Sequence, residues 1–214
     1  MGVKDLIRLF NIVKTSCMTN RQLGLVALAG APALFIGGNV EYAFKQLEHS
    51  WFTGVWGIVY ISAWMFGLLA LYRMRVAGDG FGKWLMRIMF VTLSIANISN
   101  FIQAFALPLT SSDWFFYLDI FWPLSHALML VLGITVLFHK RLDLSSRRVL
   151  FIAGLWLPIG LFSIALFGKT FPVMFFPALY NAIMWSLMAF VAIRHGQQQT
   201  AEEQTPDTTN VMLS

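Results

Sequence analysis

The feature that most constrains this chain is a series of six apolar runs, each near the ~20 residues that an α-helix needs to cross ~30 Å of hydrocarbon. They are Leu23–Phe44, Trp51–Tyr72, Trp84–Leu107, Phe115–Phe138, Val149–Gly168 and Val173–Ile193. The connections are short, so no separate extramembrane domain is expected between them. In hydrocarbon each backbone N–H and C=O must be satisfied inside its own span, which favours helices. Only 12% of the residues are charged, against about a quarter in a soluble domain. The expected fold is therefore all-α, a polytopic bundle of six transmembrane helices.

The net charge of +5 then reads as a topology signal, and no nucleic-acid partner is expected. Thirteen of the fifteen basic residues fall on one side: Lys4, Arg8, Lys14, Arg21, Arg73, Arg75, Lys83, Arg87, Lys140, Arg141, Arg147, Arg148 and Arg194. The other side receives Lys45 and Lys169. By the positive-inside rule both termini are cytoplasmic. The expected location is the plasma membrane, which in a bacterium is the inner membrane. Trp51, Tyr72, Trp84 and Trp114 lie at span ends, where amphipathic rings favour the headgroup region.

The ends read differently from the middle. Residues 1–22 place Val3, Leu6, Ile7, Phe10 and Val13 on one face, the pattern of an amphipathic helix lying in the interface. Ala29-Gly30-Ala31 resembles a signal-peptide cleavage site, but the apolar run continues to Val40 and Pro32 follows directly. The expectation is an uncleaved span. Residues 195–214 are rich in Gln, Thr and Glu and are expected to be a disordered cytoplasmic tail. Cys17 is the single cysteine, so neither an intrachain disulfide nor a zinc site of Cys/His spacing is expected. Residues 76–82, VAGDGFG, lack the strand and the GKS/T ending of a phosphate loop and read as a flexible turn. Ala29, Ala33 and Gly37 form a small-residue stripe that would admit a neighbouring helix. Pro32, Pro123 and Pro158 each remove a mid-span hydrogen bond.

Ionisable and strongly polar groups inside spans are costly, and they mark the region where function is sought. The fourth run carries Asp119 in its outer part and His126 near the midplane. They are seven residues apart and share a face with Trp122 between them. The third run carries Ser94, Asn97, Asn100 and Gln103 at intervals of three. That ladder drifts ~60° per step on an α-helix and would align only in a 3₁₀ stretch. Asn39 and Glu41 lie in the outer quarter of the first run, and Tyr180 and Asn181 lie slightly outward of centre in the sixth. The polar groups of four spans thus fall between the midplane and the outer surface. The candidate pocket is Asp119, His126, Asn97, Asn100, Gln103, Glu41, Asn181 and Tyr180. The plainer role for Glu41 is an i,i+4 pair with Lys45, and for the asparagines it is interhelical bonding.

Several chemistries lack their residues. No lysine lies inside a span, which excludes a retinal Schiff base. There is neither HExxH nor GxSxG. Ser125 adjoins His126, but neighbours on a helix point ~100° apart, so they cannot act as nucleophile and base. His126 is the single histidine well inside a span, and no cofactor or metal is expected. Three functions remain. The first is binding or transport of a small polar solute, ion or proton entered from outside, with spans 1–3 and 4–6 as inverted halves. The second is an accessory or sensory subunit that meets a membrane-protein partner or anionic lipid. The third is an intramembrane enzyme acting on a lipid or isoprenoid headgroup.

Overall fold

The computed structural model describes residues 18–168 and 171–204. The interfacial helix expected at the N-terminus, Cys17 and the last ten residues of the tail lie outside the described residues. Six helical stretches are long and apolar enough to span a bilayer: Asn20–Ala43, Trp51–Arg73, Phe81–Phe105, Asp113–Phe138, Leu144–Phe167 and Phe175–Gln198. The chain is thus a six-span, all-α membrane protein. Its basic end carries Arg73, Arg75, Lys83, Arg87 and Arg141, and the opposite end carries Lys45 and Asp113.

Three of the six spans are broken, and proline sets where. The first consists of α1 (Asn20–Gly30) and α2 (Ala33–Ala43), divided at Ala31-Pro32. The second and third are the unbroken α3 (Trp51–Arg73) and α4 (Phe81–Phe105). The fourth divides at Ile120 into α5 (Asp113–Asp119) and α6 (Phe121–Phe138). The fifth divides at Leu155 into α7 (Leu144–Gly154) and α8 (Trp156–Phe167). Pro123 and Pro158 each lack the N–H that would bond the carbonyl four residues earlier, at Asp119 and Gly154, and each helix breaks there. The sixth span belongs to α9 (Phe171–Gln204), which contains Pro177 without interruption. Helix α9 also runs past Ile193 into the stretch expected to be disordered, where Gln, Ala and Glu are good helix formers. The break in span 5 has no counterpart in span 2, which an inverted repeat of halves would call for.

The core is built from α1, α3, α4, α6, α7 and α9 around Trp64, Leu68, Met89, Leu93, Met129, Leu132 and Trp185. Leu161, Phe162, Leu166 and Phe167 of α8 are exposed, as suits a helix facing lipid. Close helix approach depends on small residues, and of the expected stripe Ala33 and Gly37 pack inward whereas Ala29 does not. Ala29 is exposed, because the buried side of α1 carries Ala27, Gly30 and Ala31. A Cβ on Gly30 would come within 2.3 Å of the Ala63 methyl, and one on Gly37 within 2.4 Å of the Trp56 ring.

The basic end is held together by packing and ion pairs, beside a cavity of about 230 Å³ lined by Tyr72, Arg73, Arg75, Gly78, Lys83 and Met86. The segment expected to be a flexible turn is a packed one, since Val76 and Ala77 are fully buried in the core. Asp79 pairs with Arg75 at 3.3 Å and with Arg141 at 2.9 Å. Gly78 has φ +80° and lies so close to His139 that a Cβ would meet its Nε2 at 2.4 Å. Asp143 caps α7, accepting from Ser145, from the Ser146 hydroxyl at 2.7 Å and N–H at 3.2 Å, and from His195 Nε2 at 3.0 Å. The hydrogen bonds from Ser145 and then Ser146 hold its carboxyl below the usual carboxylate range.

Candidate functional site

The opposite end holds a cavity of about 370 Å³. Three spans each give it one face. Helix α3 supplies Thr53, Trp56, Gly57, Tyr60 and Ile61, and α4 supplies Ala96, Ser99, Asn100 and Gln103. Both sets follow the three-and-four spacing of a single helical stripe. The fourth span supplies Phe115, Asp119 and Trp122, and the loops add His49 and Thr110. Gly57 sits on α3 where any Cβ would meet the Asn100 carboxamide at 2.4 Å, so its lack of a side chain makes room for that amide.

The side chains of Asn100, Gln103 and Asp119 make no hydrogen bond or salt bridge with any described residue, and that of His49 makes none either. Unpaired side-chain amides and carboxylates inside a span are costly, so this wall is built to be wet or occupied. Thr53, Ser99 and Thr110 are different. Their hydroxyls donate to the Glu41 carboxylate, to the Ala96 carbonyl at 2.8 Å and to the Leu107 carbonyl at 2.7 Å.

Below the cavity lies a fully enclosed polar layer. Asn181 Nδ2 donates to the Tyr60 oxygen at 2.7 Å. The phenol hydrogen is left to donate toward His126 Nε2, 3.5 Å away. That arrangement puts the neutral imidazole's own proton on Nδ1. His126 is 1% exposed and is enclosed by tryptophans from four helices. Trp156 stacks on it at 4.0 Å, Trp64 lies at 4.7 Å, Trp122 meets it edge-on at 5.2 Å, and Trp185 lies at 5.4 Å. His126 Nδ1, Asn181 Oδ1 and the indole nitrogens of Trp64 and Trp185 are buried with no hydrogen-bond partner.

The eight residues singled out in sequence thus separate into three groups. Asn100, Gln103 and Asp119 line the cavity. His126 and Asn181 form the layer beneath it, joined through Tyr60. Asn97, Glu41 and Tyr180 are engaged elsewhere. Asn97 donates to the Ser62 hydroxyl at 3.1 Å. Tyr180 donates to the Ile152 carbonyl, tying α9 to α7. Glu41 accepts from Thr53 and, at 2.9 Å, from Trp56 Nε1. Lys45 is not its partner and instead lies 3.5 Å from Glu48. Helix α2 ends at Ala43, so the i,i+4 geometry from 41 to 45 does not exist. Helix α4 stays α-helical throughout, and its polar ladder therefore winds: Ser94 is exposed, whereas Asn100 and Gln103 reach the cavity.

Tyr60, His49 and the tryptophan enclosure escape sequence reading. Tyr60 is a polar-tipped residue in the middle of a span, away from the interface where tyrosine is ordinarily placed, and that position was the available signal. Among the described residues no three His, Cys, Asp or Glu side chains come together as a metal site would need. The fold and composition define the class, a six-span helical membrane protein. No family model, curated protein or solved structure matches the chain.

Proposed function

We propose that this protein binds a small polar solute or ion in the cavity floored by Tyr60, and that transport of it, or of a proton, follows from that binding. One observation carries the reading: three unpaired polar side chains, Asn100, Gln103 and Asp119, converge from two spans on one cavity within a chain otherwise poor in charge. The thirteen-to-two split of basic residues supports a mouth that opens away from the cytoplasm. Beneath it, Tyr60 connects the cavity to His126 and Asn181. A hydroxyl between a wet cavity and an enclosed imidazole is the arrangement a proton relay requires. The broken first and fourth spans flank this region, as discontinuous helices do at transporter binding sites.

The accessory-subunit reading draws its support from Asn97, Glu41 and Tyr180, each of which hydrogen-bonds a neighbouring helix. Melting temperatures in detergent, measured across pH with a panel of ions and polar solutes, separate the two. Binding predicts that at least one solute stabilises the wild type and that Asp119→Asn loses the response. If no solute moves wild type or variant, the polar groups are structural and the binding reading fails.

A further inference from the structure

We infer that the occupant of this cavity is a protonated amine or guanidinium compound, an inference that rests on the binding reading above. It follows from counting the hydrogens the wall offers. Thr53, Ser99 and Thr110 have turned their donors away, to Glu41, Ala96 and Leu107. The Trp56 indole N–H is also spent on Glu41. What these three hydroxyls present inward is oxygen lone pairs. Asp119 adds a carboxylate with no salt bridge, and Asn100 and Gln103 add carbonyl oxygens alongside their amide hydrogens. Acceptors therefore outnumber donors, so the complementary ligand is rich in N–H and positively charged.

Two further features fit a cation. Trp56, Tyr60, Phe115 and Trp122 put aromatic rings in the same wall, and an ammonium or guanidinium over such rings is attracted by their quadrupoles. Trp56 is fixed in place by its bond to Glu41 and by packing on Gly37, and donation to a carboxylate enriches the electron density of its indole. Glu41 thus adds negative potential from behind the wall without lining the cavity. The one lining group able to carry positive charge is His49, at the mouth. A cavity of about 370 Å³ has room for a small organic cation.

The test uses matched probes on the full chain in non-ionic detergent, read by tryptophan fluorescence and melting temperature. The probes are 2-phenylethylammonium, neutral 2-phenylethanol, anionic 3-phenylpropionate, methylguanidinium and tetramethylammonium. We expect saturable binding of 2-phenylethylammonium and methylguanidinium, with the alcohol and the carboxylate at least tenfold weaker. Tetramethylammonium, which offers no N–H, binds more weakly than methylguanidinium. Asp119→Asn loses at least tenfold in affinity for the cations, and Asp119→Glu retains most of it. The probe series on wild type stands even if a variant fails to fold. Equal binding of the alcohol, or cation binding unchanged in Asp119→Asn, overturns the cation inference and leaves the cavity reading standing. Failure of every probe, whatever its charge, overturns both.

Discussion

The two ends of this bundle handle polar groups in opposite ways. At the basic end the acidic side chains are partnered: Asp79 bridges Arg75 and Arg141, and Asp143 caps α7 while holding His195. The connecting turn fills its own interior with Val76 and Ala77. At the other end the side chains of Asp119, Asn100, Gln103 and His49 face a cavity with no hydrogen-bond partner. The difference teaches which polar groups hold the fold and which are free to meet something else. A polar residue that joins two elements spends hydrogen-bonding capacity on the fold, whereas a side chain left unpaired in a span is matched by water or a ligand.

The strongest test of that division is a pair of glycines one turn apart on α3. Gly54→Ala sets a Cβ 2.3 Å from the Ala104 backbone nitrogen and 2.5 Å from the Asn100 carbonyl. Backbone cannot swing aside, so the cost is about 3 kcal/mol, at the upper end for overpacking. In Gly57→Ala the three atoms nearest the new Cβ all belong to the Asn100 side chain, Cγ at 2.6 Å included. That side chain can yield by changing rotamer, so stability falls by only about 1 kcal/mol while solute binding changes. Thermal melts and binding titrations of both variants check the contrast. Equal loss of stability would mean that the Asn100 amide is structural.

Tyr60→Phe comes next. It strands Asn181 Nδ2 and His126 Nε2 in an enclosed layer, a cost of about 1–3 kcal/mol. A melting temperature equal to wild type would show that the layer is hydrated and not dependent on the phenol.

Asp143→Ala has the smallest effect, about 1 kcal/mol for a lost helix cap. Its pH dependence has a definite sign. The folded carboxyl sits below its ordinary value because Ser145 and Ser146 donate to it. The stabilisation is therefore present in full above the unfolded value of about 3.9 and is lost as pH falls toward the folded one. The wild-type advantage should hold from neutral pH to about pH 5 and shrink below about pH 4. An advantage that grows on acidification would contradict the assignment.

Much of the fold is legible in the sequence because hydrocarbon imposes length and composition on every span. Prolines 123 and 158 also mark breaks, since each disrupts the bond to a carbonyl four residues back. The site is legible in part. The three-residue ladder on α4 and the lone Asp119 both point to the cavity, because depth can be counted from the charged ends. What depth cannot show is partnership. Glu41 lies at the right height but is engaged by Thr53 and Trp56 from the next helix. The four tryptophans around His126 come from α3, α6, α8 and α9, and no local pattern records that they meet. The turn at 76–82 misleads because its glycines outweigh the apolar Val76-Ala77 pair that packs it down.

The central claim, that one end of the bundle opens to a polar cavity, is tested most directly by thiol accessibility. Cysteines placed singly at Asn100 and Asn97, in a Cys17→Ser background, are exposed in intact cells to a membrane-impermeant thiol reagent. Asn100→Cys lines the cavity and should react, whereas Asn97→Cys, one turn deeper at the Ser62 contact, should not. A protein unreactive at both positions, or reactive only when the cytoplasmic side is opened, would contradict the account.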